Sequence, residues 1–425
     1  MAISLTLPRS RQALFPGWKV VFAGFVGLAF GSPVLLLFTL GVFTGPLEHD
    51  LGWTRAQISL SATVFTAVST VAFPFAGALL DRFGARRVVL VSLPLFAAAY
   101  ASLGLTTRSL GAFYLAWAVI TLLGSAPSNP AYCKAVASWF DRRLGLALGV
   151  TVAGQGIGAA VVPALAFVLL SRFGWRLAYA GLAGVALVAT FAVNAAFLRN
   201  APADLGLFPD GALQPPSGDG ERAATAGFTF ERAVRTRAFA LLTAAFLLLG
   251  FMSTAILAHQ VPMLVDAGFT PARAAAVQVV YGLALTGGRL VVGFSLDRFF
   301  APRVLMASLG GIVVGLAFYA RGVTGDAAFL CAALIGFGIG AEFDVLGYLV
   351  ARYFGRRTYG KLYAVVLSVF TFGGGLGAAV FGAVRTRHGD YAPALWAVTA
   401  TTCIAILLLS RLGAYPRSFE PAPSL

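Results

Sequence analysis

Gly77-Ala-Leu-Leu-Asp81-Arg82-Phe-Gly84-Ala-Arg86-Arg87 follows one long apolar stretch, and Gly293-Phe-Ser-Leu-Asp297-Arg298-Phe-Phe-Ala-Pro-Arg303 follows another about half the chain later. A second pair, Trp139-Phe140-Asp141-Arg142-Arg143 and Tyr353-Phe354-Gly355-Arg356-Arg357, recurs at nearly the same offset. Self-similarity at a fixed period outranks any local signal in deciding an architecture. The chain is two copies of one unit.

Each unit is apolar. Of 425 residues, 59% are hydrophobic and only 11% charged, far from the balance of a soluble domain. A bilayer-crossing helix needs roughly 20 mostly apolar residues. Runs of that kind occupy 18–43, 57–80, 88–106, 111–137, 144–170, 176–198, 238–264, 274–296, 303–320, 327–350, 360–383 and 392–411. The expected fold is an all-α membrane protein: a six-helix bundle over 18–198, a central loop over 199–237, a second bundle over 238–411, and tails at 1–17 and 412–425.

The segment before Trp18 has no apolar core leading to a small-residue cleavage site and reads as a retained cytoplasmic tail. The central loop, rich in Pro, Gly, Asp and Arg, is too polar for lipid and reads as a mobile cytoplasmic linker. Its last part, Phe228 to Arg237, fits a short amphipathic helix on the membrane surface.

A net charge of +15 invites a polyanion partner, but the placement of the cations argues against nucleic acid. With both termini inside, eight of the 31 Lys and Arg fall outside (Arg55, Arg108, Arg172, Arg176, Arg273, Arg321, Arg385 and Arg387) and one, Arg289, falls within the hydrocarbon. All the others lie on the cytoplasmic side, as the positive-inside rule requires. An inner membrane is the expected location, with the lipid bilayer as the main partner and the protein a monomer. Cys133, Cys331 and Cys403 lie in apolar spans with no CxxC spacing or His cluster, so neither a metal nor a disulfide is expected. No cofactor is called for. No nucleophile–base pair suggests an enzyme, nor does a folded soluble domain suggest a receptor.

The signature Gly77, Asp81, Arg82, Gly84, Arg86, Arg87 resembles the loop motif of the major facilitator superfamily, complete in the first copy and reduced in the second to Gly293, Asp297 and Arg298. The resemblance implies twelve helices in two pseudo-symmetric bundles that rock by alternating access. The glycines let helices approach, and Asp81 with the arginines after it would form interhelical ion pairs that break and reform. Gly17-Trp18, Ser128-Asn129-Pro130, Trp139 to Arg143 running into Gly145-Leu-Ala-Leu-Gly149, Gly154-x-x-x-Gly158 and Gly288-Arg289 are similar to the monocarboxylate porter branch, which is related to oxalate/formate exchangers. This implies a small organic anion as substrate and Arg289 as the residue that binds the carboxylate; protons are the expected coupling ion on the separate ground of the intramembrane acids below.

Departures bound what carries over. Leu36 stands where animal monocarboxylate transporters have a lysine, and Leu285 where they have an acid one turn before the arginine. Leu362 to Phe381 holds no basic residue, whereas oxalate exchangers carry a lysine there. A second substrate carboxylate would lack that partner, which favours a monocarboxylate.

Strongly polar residues well inside the apolar runs are functional candidates by default, because an intramembrane charge is costly. They are Arg289, Glu342, Asp344 and, near an outer end, His259. Arg289 stands eight residues before Asp297, and Asp344 eight before Arg352, so both lie about 12 Å inside. A guanidinium matches a carboxylate with two parallel donors and stays charged. The plainer reading of Arg289 is a permanent ion pair with an acid.

Glu342 and Asp344, at i and i+2, point to roughly opposite sides of a helix, so at most one faces a central cavity squarely; the pattern does not say which. Either is a candidate proton carrier, released when a substrate anion claims Arg289, or a helix-packing group. His259 reads as part of an outer gate or as a structural histidine. Further candidates for the cavity are Asn129, Tyr132, Gln155, Tyr281 and Tyr348, with Phe370 and Phe372 as an apolar lid. The competing readings are an anion exchanger and a proton-coupled drug or metabolite exporter of the same fold. Exporters often carry a Gly-Pro pair in the fifth span, but Gly158 is followed by Ala159 and Pro163 comes later.

Overall fold

A computed structural model of the chain describes residues 15–212 and 227–416. The tail preceding Phe15, the middle of the central loop and the end of the C-terminal tail lie outside the described residues. Among those described are eleven helices long and apolar enough to cross a membrane. The first is Gly17–Leu51 (span one), followed by Arg55–Phe83 (two), Ala85–Leu105 (three) and Leu110–Trp139 (four). The second half contributes Arg237–Asp266 (seven), Pro271–Leu296 (eight), Ala301–Ala320 (nine), Ala327–Phe354 (ten), Tyr359–His388 (eleven) and Ala392–Ser410 (twelve).

Between them Leu144–Phe197 runs for 54 residues, about 80 Å if straight and far more than a bilayer core of about 30 Å. It bends back at Gly174, whose φ of 75° and ψ of 167° belong to a region open essentially to glycine. A Cβ placed on Gly181 would stand 3.2 Å from the Leu169 side chain, so the two arms lie side by side. They are spans five and six. Twelve crossings result, six on either side of the central loop.

Three spans are broken, and the breaks matter for the site. Span one leaves α-helical geometry after Ala29 and resumes through a π-helical turn, Val34–Phe38. Span four breaks between Gly124 and Asn129. The two breaks adjoin, since Ser32 Oγ donates to the Gly124 carbonyl at 3.3 Å. Span ten breaks at Ala341, between Ala327–Gly340 and Glu342–Phe354.

The halves meet most closely on the face where the arginine-rich joints gather, here called the basic face. The buried apolar core runs unbroken from one half into the other there, whereas the outer part of the first bundle keeps a separate core around Phe43, Trp117 and Tyr179. Two aspartates close this face in a matching way. Asp81 at the end of span two accepts from the N–H groups of Gly360 (2.9 Å) and Lys361 (2.8 Å), which open span eleven. Asp297, just past span eight, accepts from Gly145 (2.6 Å) and Leu146 (3.0 Å), which open span five. Each carboxylate thus caps the positive end of a helix from the opposite half. Close backbone approach makes this possible: a Cβ on Gly77 would lie 2.5 Å from the Gly360 carbonyl, and one on Gly145 2.3 Å from that of Gly293.

The signature's arginines do not pair with Asp81, contrary to the expectation from sequence. Its ion-pair partner is Lys134 of span four, 2.5 Å away. Arg86 instead donates to the carbonyls of Ala195 (2.8 Å) and Leu198, and so caps span six within its own bundle. Arg82 lies over the Phe83 ring, 5.2 Å from its centroid, and Arg298 over Phe294 at 3.6 Å. The distinction follows from the turn at Gly84 (φ 78°), which ends span two and puts Arg86 in the first turn of span three, on the side of its own bundle.

The central loop also departs from expectation. Its described start, 199–212, is folded onto the first half. Asp210 accepts from the N–H groups of Asp141 (3.0 Å) and Arg142 (2.8 Å), and Ser138 donates to the Asn200 carbonyl. The helix expected at Phe228 to Arg237 is the short Phe230–Val234, capped by Thr229. It is pinned to the second half where Phe228 N–H donates to the Phe354 carbonyl at 3.0 Å and Lys361 sits over the Phe230 ring.

Candidate functional site

Glycines fix where Arg289 stands. Gly288, Gly336 and Gly340 let spans eight and ten touch backbone to backbone: a Cβ on Gly288 would meet the Phe337 carbonyl at 2.3 Å, and one on Gly340 the Leu285 carbonyl at 2.1 Å. Gly149 of span five would likewise meet the Arg289 carbonyl at 2.7 Å. Wedged there, the Arg289 side chain is 95% buried, and its Nη1 donates to the Val152 carbonyl of span five at 2.5 Å. Its Nε has no partner, and among the described residues it makes no ion pair.

The break in span ten places Glu342 and Asp344 in the first turn of a half-helix inside the membrane, where the helix dipole favours negative charge. Both are fully buried and within electrostatic reach of Arg289. Their surroundings differ. Glu342 Oε1 accepts from Ser253 Oγ of span seven at 2.6 Å; neither oxygen of Asp344 has a donor.

Around this trio stand groups of unequal standing. Tyr281 of span eight is buried, its hydroxyl free of hydrogen bonds and within reach of both Arg289 and Glu342. Gln155 of span five has a buried, unpartnered Oε1. It stands one turn from Val152, and its neighbour Gly156 faces Thr286, one turn before Arg289. Asn129, at the break in span four, is buried with Oδ1 unpartnered.

Several residues singled out from sequence stand elsewhere. Tyr132 lies inside the first bundle against Gly24 and Gly27 of span one; a Cβ on Gly27 would fall 2.2 Å from its hydroxyl. Tyr348 lies under Arg352, 5.1 Å from ring centroid to guanidinium, and belongs to the basic face. Phe370 packs within the second bundle on Phe343 and Phe246, and Phe372 is more than half exposed. His259 bridges spans seven, eleven and twelve through Tyr391 Oη (3.4 Å) and the Ala378 carbonyl (3.0 Å).

Conversely, sequence reasoning passed over Ser253 and Tyr363 and read Cys133 only as a residue of an apolar span. Tyr363 of span eleven is fully buried, 3.9 Å from Cys133 Sγ and within reach of Arg289 and Asp344. Neutral groups carry no charge signal, though Tyr363 lies one turn into span eleven beside Gly360 and could have been sought there.

Below the site, Asp141 binds Arg352 Nη1 (3.0 Å) and Arg356 Nη2 (3.7 Å) from the other half, and Arg356 also reaches the Phe140 carbonyl at 3.0 Å. Burial pushes the Arg356 guanidinium down and Asp141 opposes this. Burial pushes the Asp297 carboxyl up, against the pull of its two N–H donors. The seam beneath Arg289 is closed by named polar contacts, and a ligand reaching it must enter from the opposite face or wait for that seam to part. Among the described residues no group of His, Cys, Asp and Glu could hold a metal.

The model of the Major Facilitator Superfamily matches residues 34–378. Monocarboxylate transporter 11 of Mus musculus is 30% identical over 88% of this chain and 82% of its own length, and that of Homo sapiens 27% identical over 88% and 78%. The solved fucose:proton symporter of E. coli superposes with a TM-score of 0.70 at 15% identity, over 94% of this chain and 99% of that one, a likeness of fold. Family model and relatives agree with the twelve-span architecture. The chain belongs to the major facilitator superfamily of membrane transporters, in its monocarboxylate porter-like branch.

Proposed function

We propose that this transporter moves a small organic anion with one carboxylate, coupled to protons, and that Arg289 binds the carboxylate. The observation that carries the reading is the state of Arg289: it is deeply buried, hydrogen-bonded to a carbonyl, and not neutralised by an ion pair. A buried guanidinium without a carboxylate partner is costly to keep and well suited to receive one. The names of the relatives point to the same substrate class.

Counting charges supports the coupling. One cation faces two carboxyl groups, so with both ionised the site is net negative and repels an anion, and each carboxyl that takes up a proton removes one charge of that repulsion. Asp344 is the better carrier, because Glu342 is engaged by Ser253 whereas Asp344 has no donor to hold its ionised form. A substrate carboxylate that takes Arg289 removes the charge opposing protonation of Asp344, so anion and proton load together. We place the protein in the inner membrane with both termini and the central loop on the cytoplasmic side, from the distribution of cations.

A thermal-shift screen of the purified protein against lactate, pyruvate, formate, oxalate and aromatic acids, with neutral and cationic compounds alongside, tests the reading, since a ligand stabilises the state it binds. Stabilisation by a monocarboxylate, greater at lower pH, is expected. A response only to neutral or cationic compounds would overturn it in favour of an exporter.

A further inference from the structure

A cavity of about 550 Å3 opens on the outer side of the second bundle between spans eight, nine and ten. It does not contain Arg289, which points away from it into the seam between halves. Its volume lies within the roughly 300–1,000 Å3 of small-molecule sites. The walls include Val291, Phe299, Ala307, Gly311 and Phe337, and their character is apolar. The two serines that line it are turned back to their own helices, Ser295 to the Val291 carbonyl (2.8 Å) and Ser308 to that of Val304 (3.1 Å). Arg303 is the one charged residue of the lining.

Arg303 is exposed at the basic-face end of span nine and, among the described residues, has no ion pair or side-chain hydrogen bond. The nearest signature acid, Asp297, is spent on Gly145 and Leu146. Gly311 lies eight residues further along the helix, about 12 Å deeper in the membrane. An apolar trough that runs inward from an uncompensated cation at interface depth matches one kind of molecule in its surroundings. We propose that the groove holds an acyl chain of an anionic phospholipid whose phosphate is bound by Arg303. A zwitterionic headgroup carries its own cation beside the phosphate and gains less from the arginine. The site bears on transport: Phe337, in its wall, abuts Gly288 through its carbonyl, so the groove's contents press on the contact that positions Arg289.

Native mass spectrometry of the full-length protein in detergent tests this with phosphatidylglycerol and phosphatidylcholine of identical acyl chains. Wild type should retain phosphatidylglycerol on the order of fivefold better, the factor expected of one interfacial arginine. Arg303→Gln should abolish the preference, and Arg303→Lys should keep most of it. Gly311→Leu, whose Cβ fits without a clash (its nearest neighbours are a Leu334 methyl at 3.7 Å and the Leu334 carbonyl at 3.9 Å) and whose further carbons enter the groove, should reduce retention of both lipids. Arg321→Gln, on the opposite face, should change nothing. Equal retention of the two lipids by wild type, a preference that survives Arg303→Gln, or retention unaffected by Gly311→Leu would each overturn the assignment.

Discussion

Arg289 gives a hydrogen bond to the Val152 carbonyl across the boundary between the halves, and neither Glu342 nor Asp344 stands within ion-pair distance of it. The arginine therefore ties span eight to span five in the closed-seam state without being electrically satisfied. A substrate that claims it would compete with a contact between halves, joining recognition to movement.

Substituting lysine separates binding from scaffolding. Arg289→Lys keeps the charge and loses the planar two-donor fork, so affinity for a carboxylate should fall by about tenfold or more with a melting temperature near wild type. Arg289→Ala leaves two buried acids without a counter-charge and should be less stable as well. Wild-type affinity in a folded Arg289→Lys protein, measured by calorimetry, would remove Arg289 from the site.

The two acids should behave differently. Asp344→Asn is expected to abolish accumulation driven by a pH gradient in proteoliposomes while exchange of substrate for substrate persists. Glu342→Gln keeps an acceptor for Ser253 and should spare coupling. Gradient-driven accumulation that survives Asp344→Asn and is lost in Glu342→Gln would reverse the assignment.

The aspartate caps predict how the basic face opens. Asp81→Ala removes the acceptor for Gly360 and Lys361, and loss of such a cap costs about 1 kcal/mol; it also strands Lys134. A cysteine at Ser368, whose hydroxyl bonds the Thr70 carbonyl in the seam, should react faster with a thiol reagent in Asp81→Ala and faster still when Asp297→Ala is added. Unchanged reactivity would mean the seam is held by other contacts.

Gly174 has no atom that would clash with a Cβ, so Gly174→Ala tests backbone strain alone. Its dihedral angles belong to a region costing other residues about 1–3 kcal/mol. A lower melting temperature with unchanged substrate affinity is expected; an unchanged melting temperature would show that the joint relaxes.

Orientation follows from the cations. A cysteine at Ser217 should be unreactive to an impermeant thiol reagent added outside intact cells, and labelling from outside would invert the topology.

The spans were legible because bilayer thickness imposes their length and lipid imposes their composition, and both leave marks on single residues: Gly174 between two apolar runs, Asp81 and Asp297 at equivalent ends. Breaks inside spans were not. Nothing in Gly340-Ala341-Glu342 distinguishes a continuous helix from two half-helices, because the choice depends on close packing against Leu285 and Tyr281 of span eight. Helical spacing likewise cannot separate the interior of one bundle from the space between two, which is why Tyr132 and Tyr348 read as equivalent to Tyr281. Gly24 and Gly27, three residues apart on span one, held the clue for Tyr132: small residues on one face leave room for a large neighbour. The partner of Asp81 was hidden for a related reason, since Lys134 approaches from another helix and no spacing along span two reveals it.

The twin caps also set the energy scale of turnover. Because Asp81 and Asp297 hold backbone N–H groups, their grip does not depend on the side chains at 146 and 361, where proline would forbid it, whereas 145 and 360 must stay glycine: a Cβ there would stand 3.0 Å from Asp297 and 2.8 Å from Asp81. When the face parts, four amides and two carboxylates exchange protein partners for water, a trade worth about 1.5–3 kcal/mol per bond because the acceptors are charged. The hold of this seam is thus divided among a few discrete bonds that water can replace one at a time, not stored in a single contact that must break at once.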